Sequence, residues 1–98
     1  CSLAVLEAWA SGLPVITSRM NGAAELMAAG REGLIVEDPA NVAEVASAMQ
    51  SLLEAETRAA MERPARALAE ANSLGTSFGR IVEIYESILE RRRREMAA

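Results

Sequence analysis

Four positions at the front of the chain carry the chemistry the sequence offers. Ser2 is placed to cap a helix, and the free amides of Leu3 and Ala4 would point out of that helix's N-terminus. Such an end attracts anions, phosphate above all, because its N–H groups lack intrahelical acceptors and the helix dipole leaves partial positive charge there. Glu7 lies four residues beyond Leu3 on the same face, about 6 Å further along at about 1.5 Å per residue. A carboxylate accepts two hydrogen bonds and so suits a vicinal diol. The set would hold a nucleotide, with its phosphates at the helix end and its ribose beside Glu7. Glu7 also sits in an otherwise apolar helix, where a buried carboxylate needs partners that a polar ligand supplies. The alternative is structural: Glu7 pairs with an Arg or holds a neighbouring loop. Spacing alone favours that alternative, since it is common in any α/β fold.

Other residues carry weaker signals. Arg19 follows a short apolar run, in the kind of loop where ligands of open α/β sheets bind, and it is a further candidate for a phosphate. Glu25 is a second candidate, read first as a helix-start residue. Arg91 to Arg94 suit a helix C-terminus, with contact to anionic lipid as the sharper alternative. The five Met residues read as core filler or surface. With no His and one Cys, the chain offers neither the commonest general base nor a metal-ligating cluster, and Cys1 has no partner for an internal disulfide. A net charge of −4 gives no sign of a nucleic-acid face. The chain begins with Cys1 rather than Met, which is read as the mark of a longer protein.

The elements that would position these residues alternate. Ser2 to Ser11 reads as a helix, apolar almost all round and so expected to be buried on more than one side, with Gly12 as its stop. Leu13 to Ser18 reads as a buried parallel strand with Pro14 near its start. After a loop over Arg19 to Asn21, Gly22 caps a helix from Ala23 to Ala29 that ends at Gly30. Gly33 to Glu37 reads as a second strand. Val42, Val45, Ala46, Met49, Leu52 and Leu53 then recur at helical spacing behind Asn41, with Glu44 three residues after that cap. Glu56 to Glu62 is helical, and Pro64 is expected to interrupt it and open a further helix through Ala71. After a breaker at Asn72 to Gly75, a last helix runs from about Phe78 to Arg94 with an apolar stripe of Ile81, Val82, Ile84, Tyr85, Ile88 and Leu89. Strands alternating with helices imply parallel pairing and an α/β class.

The stretch Ser2 to Met27, SLAVLEAWASGLPVITSRMNGAAELM, resembles the C-terminal signature of the retaining group-one glycosyltransferases with the GT-B fold. The match runs through Glu7-Ala8, then Ala10-Ser11-Gly12-Leu13-Pro14-Val15, then Gly22 and Glu25. Gly33-Leu34-Ile35-Val36 is similar to that family's next strand, Asp38-Pro39 to the following turn, and the helices from Val42 onward to its closing helices. Trp9 departs from the smaller apolar residue usual there, and Ser2 stands where the family often has Gly. The family's first Glu would lie two positions upstream of Cys1.

The resemblance implies a C-terminal fragment, residues 1–98, of a Rossmann-like donor-nucleotide-binding domain, with parallel strands flanked by helices. Glu7 would hold the ribose hydroxyls, and the amides of Leu3 and Ala4 beside Ser2 would face the phosphates. The reaction would be retaining transfer of a sugar from a nucleotide-sugar donor to a hydroxyl, with no cofactor, no metal and no catalytic residue inside this stretch. Partners would be the nucleotide sugar and an N-terminal acceptor domain. The last helix would cross back to that domain, and by itself it would expose its stripe and self-associate. The implied location is cytoplasmic, at the inner membrane face if the acceptor is lipid-linked. A non-catalytic nucleotide-binding module, a GT-B sugar-nucleotide epimerase and a purely structural α/β fragment are the alternatives.

Overall fold

The computed structural model describes residues 3–97. Its order is α1 (Leu3–Ala10), β1 (Val15–Ser18), α2 (Ala23–Leu26), β2 (Gly33–Val36), α3 (Val42–Ser51), α4 (Ala55–Ala71) and α5 (Leu74–Ala97). The two strands pair in parallel, Val15 opposite Gly33 and Ser18 opposite Val36, so the chain is a mixed helix/strand protein of the α/β kind. Parallel pairing needs a crossover of about a dozen residues or more, and the stretch through α2 provides it.

Gly12 ends α1 in the left-handed conformation at φ 76°. Its N–H donates to the Trp9 carbonyl at 2.9 Å and the N–H of Leu13 to that of Ala8 at 2.9 Å, the paired bonds of a Schellman stop. A side chain here would also meet Glu62 Cγ at 2.8 Å. Gly33 is required for a different reason: a Cβ there would collide with the backbone of Val15 across the strand pair.

Trp9 is the hub of the core. It is fully buried among Ala23, Met27, Ala65 and Ala69, with Val5, Leu6, Val15, Ile35 and Leu68 packed around them. Its indole N–H donates to the Glu32 carbonyl at 3.2 Å, which satisfies the one polar atom that burying a Trp brings with it. The small residues of α4 admit so large a side chain. Of the methionines, Met27 and Met61 are buried, while Met20, Met49 and Met96 are exposed.

Several boundaries and burials differ from the sequence reading. Only one side of α1 is covered: Trp9 is buried and Val5, Leu6 and Ala8 are half-buried, while Leu3, Ala4, Glu7 and Ala10 are exposed. α4 covers that second side only in part. The expected Ser2 cap lies outside the described residues. β1 begins at Val15, after Pro14, and α2 is a single turn. Gly22 is helical and makes no side-chain cap; Asn21 does that work, its Oδ1 accepting from the Ala23 N–H at 2.9 Å.

Asn41 caps α3, accepting from the Glu44 N–H at 3.1 Å, but Glu44 reaches the Glu37 amide instead of closing the reciprocal box. Pro64 does not break the chain into two helices: α4 runs through it. Met61, Ala65 and Ala69, spaced by four, keep one stripe buried on both sides of the proline, and that packing outweighs the missing bond. α5 starts four residues earlier than Phe78 and runs past Arg94, because Ser73 caps it through the Thr76 N–H at 3.2 Å and the two glycines within it do not stop it.

Candidate functional site

Glu7 is exposed on α1, one turn beyond Leu3, so it is not the buried carboxylate that the apolar helix suggested. The helix turns its Trp9 side inward, and Glu7 lies on the side that α4 covers only in part. It forms no ion pair among the described residues. Its surroundings are an open cleft of ≈ 510 Å³ between α1, α4 and the start of α5. Leu3, Leu6, Ala10 and Ala69 give apolar wall, and Glu7, Arg66, Glu70 and Ser77 bring polar groups to it. Leu3 is 69% exposed and Ala4 is also exposed, so the first turn of α1 is open to a ligand.

The polar residues from the far wall were not anticipated. Arg66 and Glu70 lie four residues apart on one face of α4, which was the available signal, but nothing in the sequence says that this face meets α1. Asn72 and Ser73 complete that wall, but their side chains are spent locally: Asn72 Nδ2 donates to the Leu68 carbonyl at 2.9 Å, and Ser73 Oγ lies 3.0 Å from Thr76 Oγ1.

Arg19 and Glu25 do not line this cleft. Arg19 sits past the C-terminal end of β1 and pairs with Glu37 past the end of β2, Nη2 to Oε1 at 2.8 Å and Nε to the same oxygen at 3.3 Å. The hydrogen bond from Arg19, reinforced by its charge, holds the Glu37 carboxyl below the ordinary range, and the same contact raises the Arg19 guanidinium. Glu25 is exposed on α2 and makes no side-chain hydrogen bond or ion pair among the described residues.

Among the described residues Glu32 is the one buried charged residue, and it was not singled out by sequence. Its Oε2 accepts from the Ala28 N–H at 2.8 Å, and its carbonyl accepts from both the Trp9 indole and the Val15 N–H. It ties the crossover to α1 and β1, which is a structural duty. Nothing local in the sequence marks it, because all three donors come from other elements or turns. Among the described residues no group of three His, Cys, Asp or Glu is placed to hold a metal ion, and no helix is long and apolar enough to cross a membrane.

The model of the family described as glycosyl transferases group 1 matches residues 1–55. That span takes in α1, both strands, α2 and α3, and therefore the α1 wall of the cleft with Glu7. No curated protein and no solved structure matches the chain significantly.

Proposed function

This chain belongs to the group 1 glycosyl transferases, and from that premise we propose that it is the donor-binding part, at the C-terminal end, of a GT-B enzyme. That enzyme moves a sugar from a nucleotide-sugar donor to a hydroxyl with retention. The observation that carries the reading is Glu7: an exposed carboxylate without an ionic partner, beside an open cleft and one turn from the start of a matched helix. Its two oxygens take the ribose diol. The amides of Leu3 and Ala4 take the diphosphate, where fixed dipoles stabilise the charge that develops as the sugar departs. Apolar wall from Leu3, Leu6 and Ala10 shields those contacts from water and strengthens them. In this reading the chain binds and orients the donor with no cofactor or metal, and none of its residues makes or breaks the glycosidic bond. Arg19, held by Glu37, is left out of the site.

The test is calorimetric titration of this chain with UDP, GDP, ADP and CDP in turn. One of them should bind, and Glu7→Ala should weaken it about 10- to 100-fold, the loss of a charge-assisted hydrogen-bond pair, with an unchanged circular-dichroism spectrum. Equal binding by Glu7→Ala, or no binding by any of the four, would sink the assignment.

A further inference from the structure

Asn21 is followed by Gly22 on the exposed loop after β1, and the donor cleft uses neither. An asparagine side-chain amide carbon is an electrophile within reach of the next residue's backbone nitrogen, and attack by that nitrogen closes a five-membered ring. Gly22 has no side chain to crowd the attack. Its N–H makes no hydrogen bond among the described residues, so the nitrogen is not tied into the fold. Asn21 Oδ1 accepts from the Ala23 N–H at 2.9 Å. That bond folds the side-chain amide back toward the peptide that follows it and draws electron density from its carbon. The backbone restraint is light: the Asn21 N–H reaches the Ser18 carbonyl at 3.1 Å, the Ala24 N–H reaches the Asn21 carbonyl at 3.0 Å, and α2 is a single turn. Surface segments held by so few bonds open locally without global unfolding, which gives the Asn21 backbone the rotation that ring closure needs.

We propose that Asn21 is a self-modification site, at which the folded chain deamidates through a cyclic imide. The Gly22 nitrogen forms a bond to Asn21 Cγ and gives up its proton, and the side-chain nitrogen leaves as ammonia. Water then adds to one of the two imide carbonyls. Breaking the new bond gives aspartate with the original backbone. Breaking the original peptide bond gives isoaspartate, with the chain running through the former side chain. Ammonia out and water in balance the step, and each product carries one more carboxylate than the parent chain.

The two products act differently on the fold. Aspartate keeps an acceptor for the Ala23 N–H and adds negative charge at the start of α2, where it is favourable. Isoaspartate inserts a methylene into the backbone between Ser18 and Ala23, so the bonds that Ala23 and Ala24 donate to Asn21 are not both kept. Ala23 is fully buried in the Trp9 cluster, and the longer chain loosens that packing. Two other asparagines serve as controls within the same molecule. Asn41 is exposed and its Oδ1 likewise accepts from a backbone N–H, that of Glu44 at 3.1 Å, but the branched side chain of Val42 follows it and crowds the attack. Asn72 is half-buried, and its Nδ2 is held by the Leu68 carbonyl at 2.9 Å.

The test is incubation of the full folded chain in mildly alkaline buffer, beside a sample unfolded in urea. Peptide mapping by mass spectrometry follows each asparagine, with electron-transfer fragmentation to separate aspartate from isoaspartate. In the folded sample Asn21 should gain one mass unit about tenfold faster than Asn41 or Asn72, and Gly22→Ala should slow it about as much. Gly22 sits at φ −57° and ψ −25°, a helical geometry that alanine adopts, and circular dichroism checks that the variant folds. Asn21→Asp should melt no lower than the parent chain, while the isoaspartate form, separated by ion exchange, should melt lower. Conversion in urea but not in the folded sample overturns the proposal, as do equal rates at the three asparagines. An Asn21 rate unchanged in folded Gly22→Ala overturns it too.

Discussion

At the scale of single residues, two side chains decide more than their types suggest. Trp9 fills the space between α1, α2 and α4, and its indole is bonded to the Glu32 carbonyl. Trp9→Ala should cost about 3–5 kcal/mol, from lost burial and the cavity left behind, and in a chain this small that should abolish the cooperative thermal transition. Trp9→Phe keeps most of the volume and removes one of the Glu32 carbonyl's two donors, so a loss of about 1–2 kcal/mol is expected from denaturant titration. Arg19 and Glu37 give a pH signature. The Glu37 carboxyl is lowered in the folded chain by the hydrogen bond and then the charge of Arg19. Its contribution is therefore present above the unfolded glutamate value and lost as pH falls through the folded one. The raised Arg19 keeps its proton across that whole range. A carboxyl NMR titration should find Glu37 below the ordinary glutamate value, and Arg19→Ala should bring it back toward that value.

At the scale of elements, α4 shows local propensity overruled by packing. A proline inside a helix removes one backbone bond and crowds the carbonyl one turn back, about 3 kcal/mol relative to Ala. Met61 on one side of it is buried, and Ala65 and Ala69 on the other pack in the Trp9 cluster, so the helix continues. Pro64→Ala should then stabilise the chain by about 1–3 kcal/mol, the lower end allowing for the extra freedom of the unfolded chain. Melting with unchanged helix content would show it; destabilisation would mean that the ring's own packing matters more than the missing bond.

For the whole molecule, the core draws on α1, α2, α4 and the strands, while α3 and the described residues of α5 add none of it. Removing residues 74–98 should leave the remainder with a cooperative thermal transition, since the core cluster lies outside them. A large loss of stability would show that α5 supports the core by contacts that the burial pattern does not reveal.

By itself the sequence determined what local rules govern. Short apolar runs marked both strands, helical spacing marked α3 and α5, Gly12 and Asn41 marked a stop and a cap, and the run from Ser2 to Met27 pointed to a group 1 glycosyl transferase. Glu7 was legible as a candidate from its spacing to the helix start. Only the tertiary structure decided which side of α1 is covered, that Glu7 is exposed beside a cleft half built by α4, and that Arg19 is taken by Glu37. It also decided that Glu32 bonds three separate segments and that Pro64 is bridged. Each of these depends on residues more than a turn apart in sequence meeting in space. Patterning records which residues prefer burial, and it is packing between elements that selects what covers them.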